Sequence, residues 1–110
     1  MSYFVVKELE PIKLVEGIEI RVIHGEKMTM VFFDIAPGAE VPEHSHPHEQ
    51  MGTVIQGSLE FVLGGEKRTV KEGDAYHVPS NMVHSGRCGE SPAKILEIFS
   101  PPREDYIQKG

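Results

Sequence analysis

Gly38-Ala39-Glu40-Val41-Pro42-Glu43-His44-Ser45-His46-Pro47-His48-Glu49-Gln50-Met51-Gly52-Thr53-Val54-Ile55-Gln56-Gly57 is the stretch on which the fold of this chain turns. On an extended strand, side chains two apart point to one face, so His44 and His46 project their imidazoles to the same side. Gln50 joins that side if strand pairing resumes after a turn at Pro47-His48. Gly52-Thr53-Val54-Ile55 has the composition of a strand, and Gly57 ends it.

The same rhythm of short apolar runs and glycine or proline turns continues on both sides. Ile18–Ile23, Met28–Phe33, Leu59–Leu63 and Ile95–Phe99 are rich in β-branched and aromatic residues. Gly17, Gly25, Gly64-Gly65, Gly73, Gly86 and Pro101-Pro102 mark turns between them. No window holds an apolar spacing of three and four, so no long helix is expected. Even spacing of short strands predicts an all-β sandwich or barrel. With 110 residues the chain has the size of one domain. The expected barrel core spans about residues 17–100, with an N-terminal strand segment over 1–16 and a C-terminal segment over 101–110.

Formal net charge is −6, and no basic stripe interrupts it, which argues against nucleic acid or an anionic membrane as partner. No apolar run approaches the length of a membrane-spanning helix. Met1–Glu8 lacks a basic start followed by a long apolar stretch, and Cys88 is the single cysteine, so a cytoplasmic protein is expected.

His84 follows Pro79-Ser80-Asn81-Met82-Val83 and opens another strand. Three neutral imidazoles, from His44, His46 and His84, with the amide oxygen of Gln50 suit a divalent transition metal such as zinc, iron, nickel, manganese or cobalt. Histidines on strands are often only packed or surface residues, and His24, His48 and His77 are read that way, although His48 could stand at a cavity mouth.

The extended pattern resembles the cupin family. Its first motif places Gly, His-x-His, Glu and Gly at the spacing that Gly38, His44, His46, Gln50 and Gly57 reproduce. Its second matches Gly73, Pro79, His84 and Cys88, with Asn81 where the motif has Gly and Cys88 where it has Asn. The resemblance implies a double-stranded β-helix, a jelly-roll-like barrel, holding one metal ion. Gln50 stands in the place of the usual Glu, and a neutral ligand leaves more positive charge on the ion, making it a stronger Lewis acid.

Ile98-Phe99-Ser100-Pro101-Pro102-Arg103-Glu104-Asp105-Tyr106 narrows the likeness to small cupins of pectin degradation. That resemblance implies conversion of unsaturated uronates to open-chain keto sugars, with Glu97, Phe99 and Arg103 at catalytic positions; Glu97 is one methylene longer than the family's Asp. It also implies a carboxylated sugar as substrate and a homodimer, in which Tyr3-Phe4-Val5-Val6 could lie along a partner's sheet. By alternation Ile95, Glu97 and Phe99 share one strand face, while Leu96 and Ile98 share the other. Glu97 is an acid or base if it faces inward, and an ordinary solvated residue if outward. Arg103 either binds a substrate carboxylate bidentately or forms a surface ion pair with Glu104 or Asp105. Other readings are a metal-dependent dioxygenase, another isomerase or cyclase, and a non-catalytic sugar-binding sensor.

Overall fold

The computed structural model describes residues 2–106. Ten strands form two antiparallel sheets. They are β1 (Ile12–Val15), β2 (Ile18–His24), β3 (Thr29–Ile35), β4 (Glu40–His44), β5 (Glu49–Gln56), β6 (Ser58–Leu63), β7 (Glu66–Lys71), β8 (Ala75–Val78), β9 (His84–Cys88) and β10 (Ala93–Ser100). The larger sheet runs β1-β2-β3-β10-β5-β8 and the smaller β4-β9-β6-β7. From β3 onward the chain passes repeatedly from one sheet to the other, the jelly-roll path expected from the sequence resemblance.

Alternation decides which residues face inward. On β3, Thr29, Val31, Phe33 and Ile35 are buried while Met30, Phe32 and Asp34 are not. On β10, Ala93, Ile95, Glu97 and Phe99 are buried. These faces meet Val54, Leu59, Phe61, Val70 and Val78 to fill the interior. Burying aliphatic side chains as fully as Ile20 and Val31 contributes roughly 1.5–3 kcal/mol each. The apolar pair Leu96 and Ile98 lies on the outer face, and Ile98 is exposed.

The N-terminal run departs from expectation. Tyr3, Phe4 and Val5 are exposed and Val6–Glu8 forms a 3-10 turn, so within residues 1–16 the strand is Ile12–Val15, paired with β2. Met28 precedes β3 rather than opening it. At the other end Glu104–Tyr106 forms a 3-10 turn, and the rest of the expected tail lies outside the described residues. No helix among the described residues is long and apolar enough to cross a membrane.

Candidate metal centre

His44 ends β4, His84 begins β9, and the two are register partners with ring centroids 4.2 Å apart. His46 lies beyond the end of β4, in the segment that carries the chain across to the larger sheet. The strand therefore stops two residues short of completing the expected His-x-His ladder, but the chain still brings both rings together, centroids 5.5 Å apart. Gln50 arrives from β5 in the opposite sheet, so the four side chains converge from both layers. One ligand atom from each of His44, His46 and His84 can be chosen so that all lie within 4.8 Å of one another.

The backbone sets the protonation of each ring. His44 Nδ1 faces Pro42 O at 2.8 Å, His46 Nδ1 faces His48 O at 3.1 Å, and His84 Nδ1 faces Met82 O at 2.9 Å. A carbonyl only accepts, so each Nδ1 carries the hydrogen and each Nε2 keeps a lone pair. Burial, then Arg103 and His84, holds the His46 imidazole down at about 4, and burial lowers His84 as well. Both are neutral at neutral pH, the form a metal requires.

His46 Nε2 and Gln50 Oε1 are buried and, among the described residues, have no hydrogen-bond partner. Two buried acceptors without donors are costly, on the order of 1–3 kcal/mol each, and coordination to a cation would remove that cost. With three imidazole nitrogens and an amide oxygen, the donor set fits a borderline divalent ion.

Glu97 faces inward and is 6% exposed. Its Oε2 accepts from Gln50 Nε2 at 2.7 Å and from the Tyr76 hydroxyl. Burial raises the Glu97 carboxyl to about 7, against the lowering effect of those two donors and of Arg103. Because Gln50 Nε2 is committed to Glu97, the amide turns Oε1 away from that carboxyl.

Arg103 is both buried and paired. Its Nε and Nη2 donate to Asp105 Oδ1 and Oδ2 at 2.9 and 2.6 Å, and its guanidinium stacks on Phe99 and Tyr106, 4.7 and 4.1 Å from the ring centroids. Its Nη1 is buried and without a partner among the described residues. The backbone N–H of Arg103 donates to Thr29 Oγ1 at 2.9 Å, tying the C-terminal segment to β3. Phe99, fully buried, packs edge-on against His46 at 5.7 Å.

His44, Gln50, His84, Glu97, Phe99 and Arg103 all line one cavity. Its enclosed volume, ≈ 40 Å³, has room for an ion and a few waters or for the polar edge of a ligand, not for a whole sugar ring. His77 pairs with Glu49 at 2.7 Å and His24 bonds Thr29 Oγ1 at 2.9 Å, so both are engaged elsewhere. His48 lies beside His46, ring centroids 5.5 Å apart. Asn81 takes φ 65°, which explains how it stands where the motif has Gly, since Asn tolerates the left-handed region. Cys88 is buried and directs its thiol to Ser91 O at 3.1 Å.

Tyr76 is the site-building residue that reading the chain missed, whereas Asp105 was expected as an ion-pair partner of Arg103 and is one. Alternation within Ala75-Tyr76-His77-Val78 places Tyr76 on the same face as Val78, which was the available signal.

Residues 31–99 match the family model of the cupin domain. The chain is 36% identical to the pectin degradation protein KdgF of Dickeya dadantii (strain 3937), over 96% of this chain and 97% of that one. The solved structure of KdgF from Halomonas sp. superposes with a TM-score of 0.91 at 31% identity, covering 97% of this chain and 99% of that one. An RmlC-like cupin from Shewanella frigidimarina NCIMB 400 also reaches a TM-score of 0.91, at 23% identity, covering 97% and 96%, a likeness of fold.

Proposed function

The chain belongs to the cupin family, and on that premise we propose that it binds one divalent transition-metal ion and converts an unsaturated uronate into its open-chain keto form. What carries the reading is that His44 and His84 of the imidazole cluster line the same cavity as the buried Glu97 carboxyl and Arg103, whose Nη1 has no partner among the described residues. The likeness to proteins named for pectin degradation supports the substrate class.

His44, His46, His84 and Gln50 would hold the ion, which supplies Lewis acidity next to the substrate's oxygens. Asp105 takes one edge of the Arg103 guanidinium, leaving the edge that carries Nη1 for the uronate carboxylate. Glu97 gives its proton to the enol-ether carbon of the ring, and water adds to the neighbouring carbon that bears the ring oxygen. The proton released by that water returns to Glu97. The bond between this carbon and the ring oxygen then breaks, the ring oxygen takes the hydroxyl proton, and a ketone remains. Phe99 walls the cavity against bulk solvent. The sugar's bulk rests at the mouth, because the interior admits only its reacting edge.

The reading includes a cytoplasmic homodimer. Met51 and Ile98 are register partners on the outer face of the larger sheet, Met30 flanks Ile98, and both Met51 and Ile98 are exposed. Covering this apolar patch with a second copy removes it from water. Light scattering would give the mass of two chains, and a single-chain mass would remove this part of the proposal.

Metal-loaded protein mixed with an unsaturated uronate monomer tests the activity, followed by the ultraviolet absorbance of the conjugated enol acid. The absorbance falls faster than in buffer, and His84→Ala abolishes the acceleration. Metal-loaded protein that leaves the spontaneous rate unchanged would overturn the uronate reading. Oxygen uptake in the same vessel would point to a dioxygenase.

A further inference from the structure

Glu97, Gly52 and Tyr76 occupy one row across β10, β5 and β8, where Glu97 pairs with Gly52 and Gly52 pairs with Tyr76. A β-carbon at position 52 would lie 2.6 Å from both Cζ and the hydroxyl oxygen of Tyr76. The missing side chain therefore lets the phenol lie across β5 and reach a residue two strands away. From the opposite sheet Phe61 packs on the same ring, with centroids 4.4 Å apart. The ring is confined on both sides and its hydroxyl ends on Glu97 Oε2.

From this geometry we infer that Tyr76, seated over Gly52, is a positioning residue that orients the Glu97 carboxyl and, through it, the Gln50 amide. A glutamate side chain ends in a freely turning carboxyl, and each lost rotamer has to be offset by a contact. Here two donors converge on a single oxygen, the Tyr76 hydroxyl from β8 and Gln50 Nε2 from β5. The second of these bonds aligns Gln50, whose Oε1 has no partner among the described residues. Removing the Tyr76 hydroxyl leaves Gln50 as the single donor to Oε2, so the carboxyl swings and the amide swings with it. Outer-shell groups that orient a ligand in this way change metal affinity or activity by roughly 10- to 100-fold when removed.

The inference rests on the proposed metal-dependent uronate chemistry, and the experiment separates the two. Tyr76→Phe keeps the ring against Phe61 and deletes only the hydroxyl. Turnover of the uronate falls by roughly 10- to 100-fold with KM within about twofold, because the ring still packs while the carboxyl loses its orientation. Co(II) affinity, read by competition with a chromophoric chelator, weakens by several-fold, and the thermal midpoint of the metal-free protein stays close to wild type. Gly52→Ala acts in the same direction by displacing the ring, and combining it with Tyr76→Phe adds little further loss of turnover, since both break one contact. Wild-type turnover together with wild-type Co(II) affinity in Tyr76→Phe would overturn the inference. If the wild-type protein turns over no uronate, the activity proposal fails and the Co(II) arm still decides the role of Tyr76. Unchanged affinity would then reject it, and weakened affinity would uphold it.

Discussion

Asp105 grips Arg103 through two hydrogen bonds, 2.9 and 2.6 Å long, two residues along the same chain. The Asp105 carboxylate stands at the surface, but the guanidinium it holds is buried, lines the cavity and stacks on Phe99 and Tyr106. The ion pair expected for Arg103 is therefore formed, with Asp105 rather than Glu104, from a guanidinium that is itself buried. Burial works against the charge on Arg103, but the pairing with Asp105 outweighs it and keeps the guanidinium protonated, while Nη1 stays buried and without a partner among the described residues.

Arg103→Lys loses the planar fork that can hold Asp105 and a second carboxylate together. KM for the uronate rises by roughly 10-fold or more, the equivalent of about 1.4 kcal/mol, with a smaller change in kcat. Steady-state kinetics with unsaturated uronate, measured alongside Asp105→Asn, decides this. An unchanged KM in Arg103→Lys would remove Arg103 from carboxylate binding.

Glu97→Gln preserves size and can still accept from Gln50, but it cannot deliver a proton. Turnover falls by roughly 100- to 10,000-fold, the usual contribution of general acid–base catalysis. Metal content, read by elemental analysis, stays at wild-type stoichiometry. Full activity in this variant assigns the proton transfer to another group.

A divalent ion that binds only the folded chain stabilises it by about 2.7 kcal/mol at a free concentration one hundred times its Kd. For a domain of this length each kcal/mol moves the thermal midpoint by roughly 4–8 °C. Zinc or cobalt added to chelator-treated protein therefore raises the midpoint in a concentration-dependent way. His84→Ala, which removes a buried member of the imidazole cluster, flattens that dependence. A midpoint insensitive to every transition metal tried would count against the ion.

Metal-free protein senses pH through His46. Its imidazole is held at about 4 in the folded chain against an ordinary 6.5, so the unfolded chain takes up the proton first as the solution is acidified. The stability that His46 contributes is present above pH 6.5 and is lost as the pH falls toward 4. Glu97, raised to about 7, works in the opposite direction over the same range, so the comparison needs a reference lacking only the ring. Against His46→Asn, chelator-treated wild type loses on the order of 1 kcal/mol across that window in urea titrations, solvent screening of the half-buried ring keeping the figure small. A constant difference between the two proteins from pH 7 to pH 4 would contradict it.

Asn81 sits at φ 65°, where a side chain with a β-carbon is strained and glycine is not. Asn81→Gly should leave the unfolding free energy close to wild type, and Asn81→Ala should lower it by about 1 kcal/mol. His84 lies three residues on, so the alanine variant also tests how far turn strain reaches the cluster. Equal stability of Gly and Ala at this position would mean that the turn relaxes.

Much of this protein is local in origin, and that part can be read directly from the chain. The strand faces of β3 and β10 follow from a period of two, and the turns from glycine. Alternation groups Glu97 with Ile95 and Phe99, but with Leu96 and Ile98 apolar on the other face only the fold decided that the Glu97 face turns inward. What the chain could not announce involves partners distant in sequence and brought together by the pairing of whole strands. Gln50 meets Glu97 across 47 positions, and Tyr76 meets it across 21. Their contact depends on which strands are neighbours, on a register that sets Gly52 between them, and on the gap that glycine leaves for a ring. Arg103 shows the same division, because its pair with Asp105 is local while its burial between Phe99 and Tyr106 belongs to the fold. Side-chain alternation is a property of each strand alone, whereas the order and register of strands are chosen by the free energy of the assembled core.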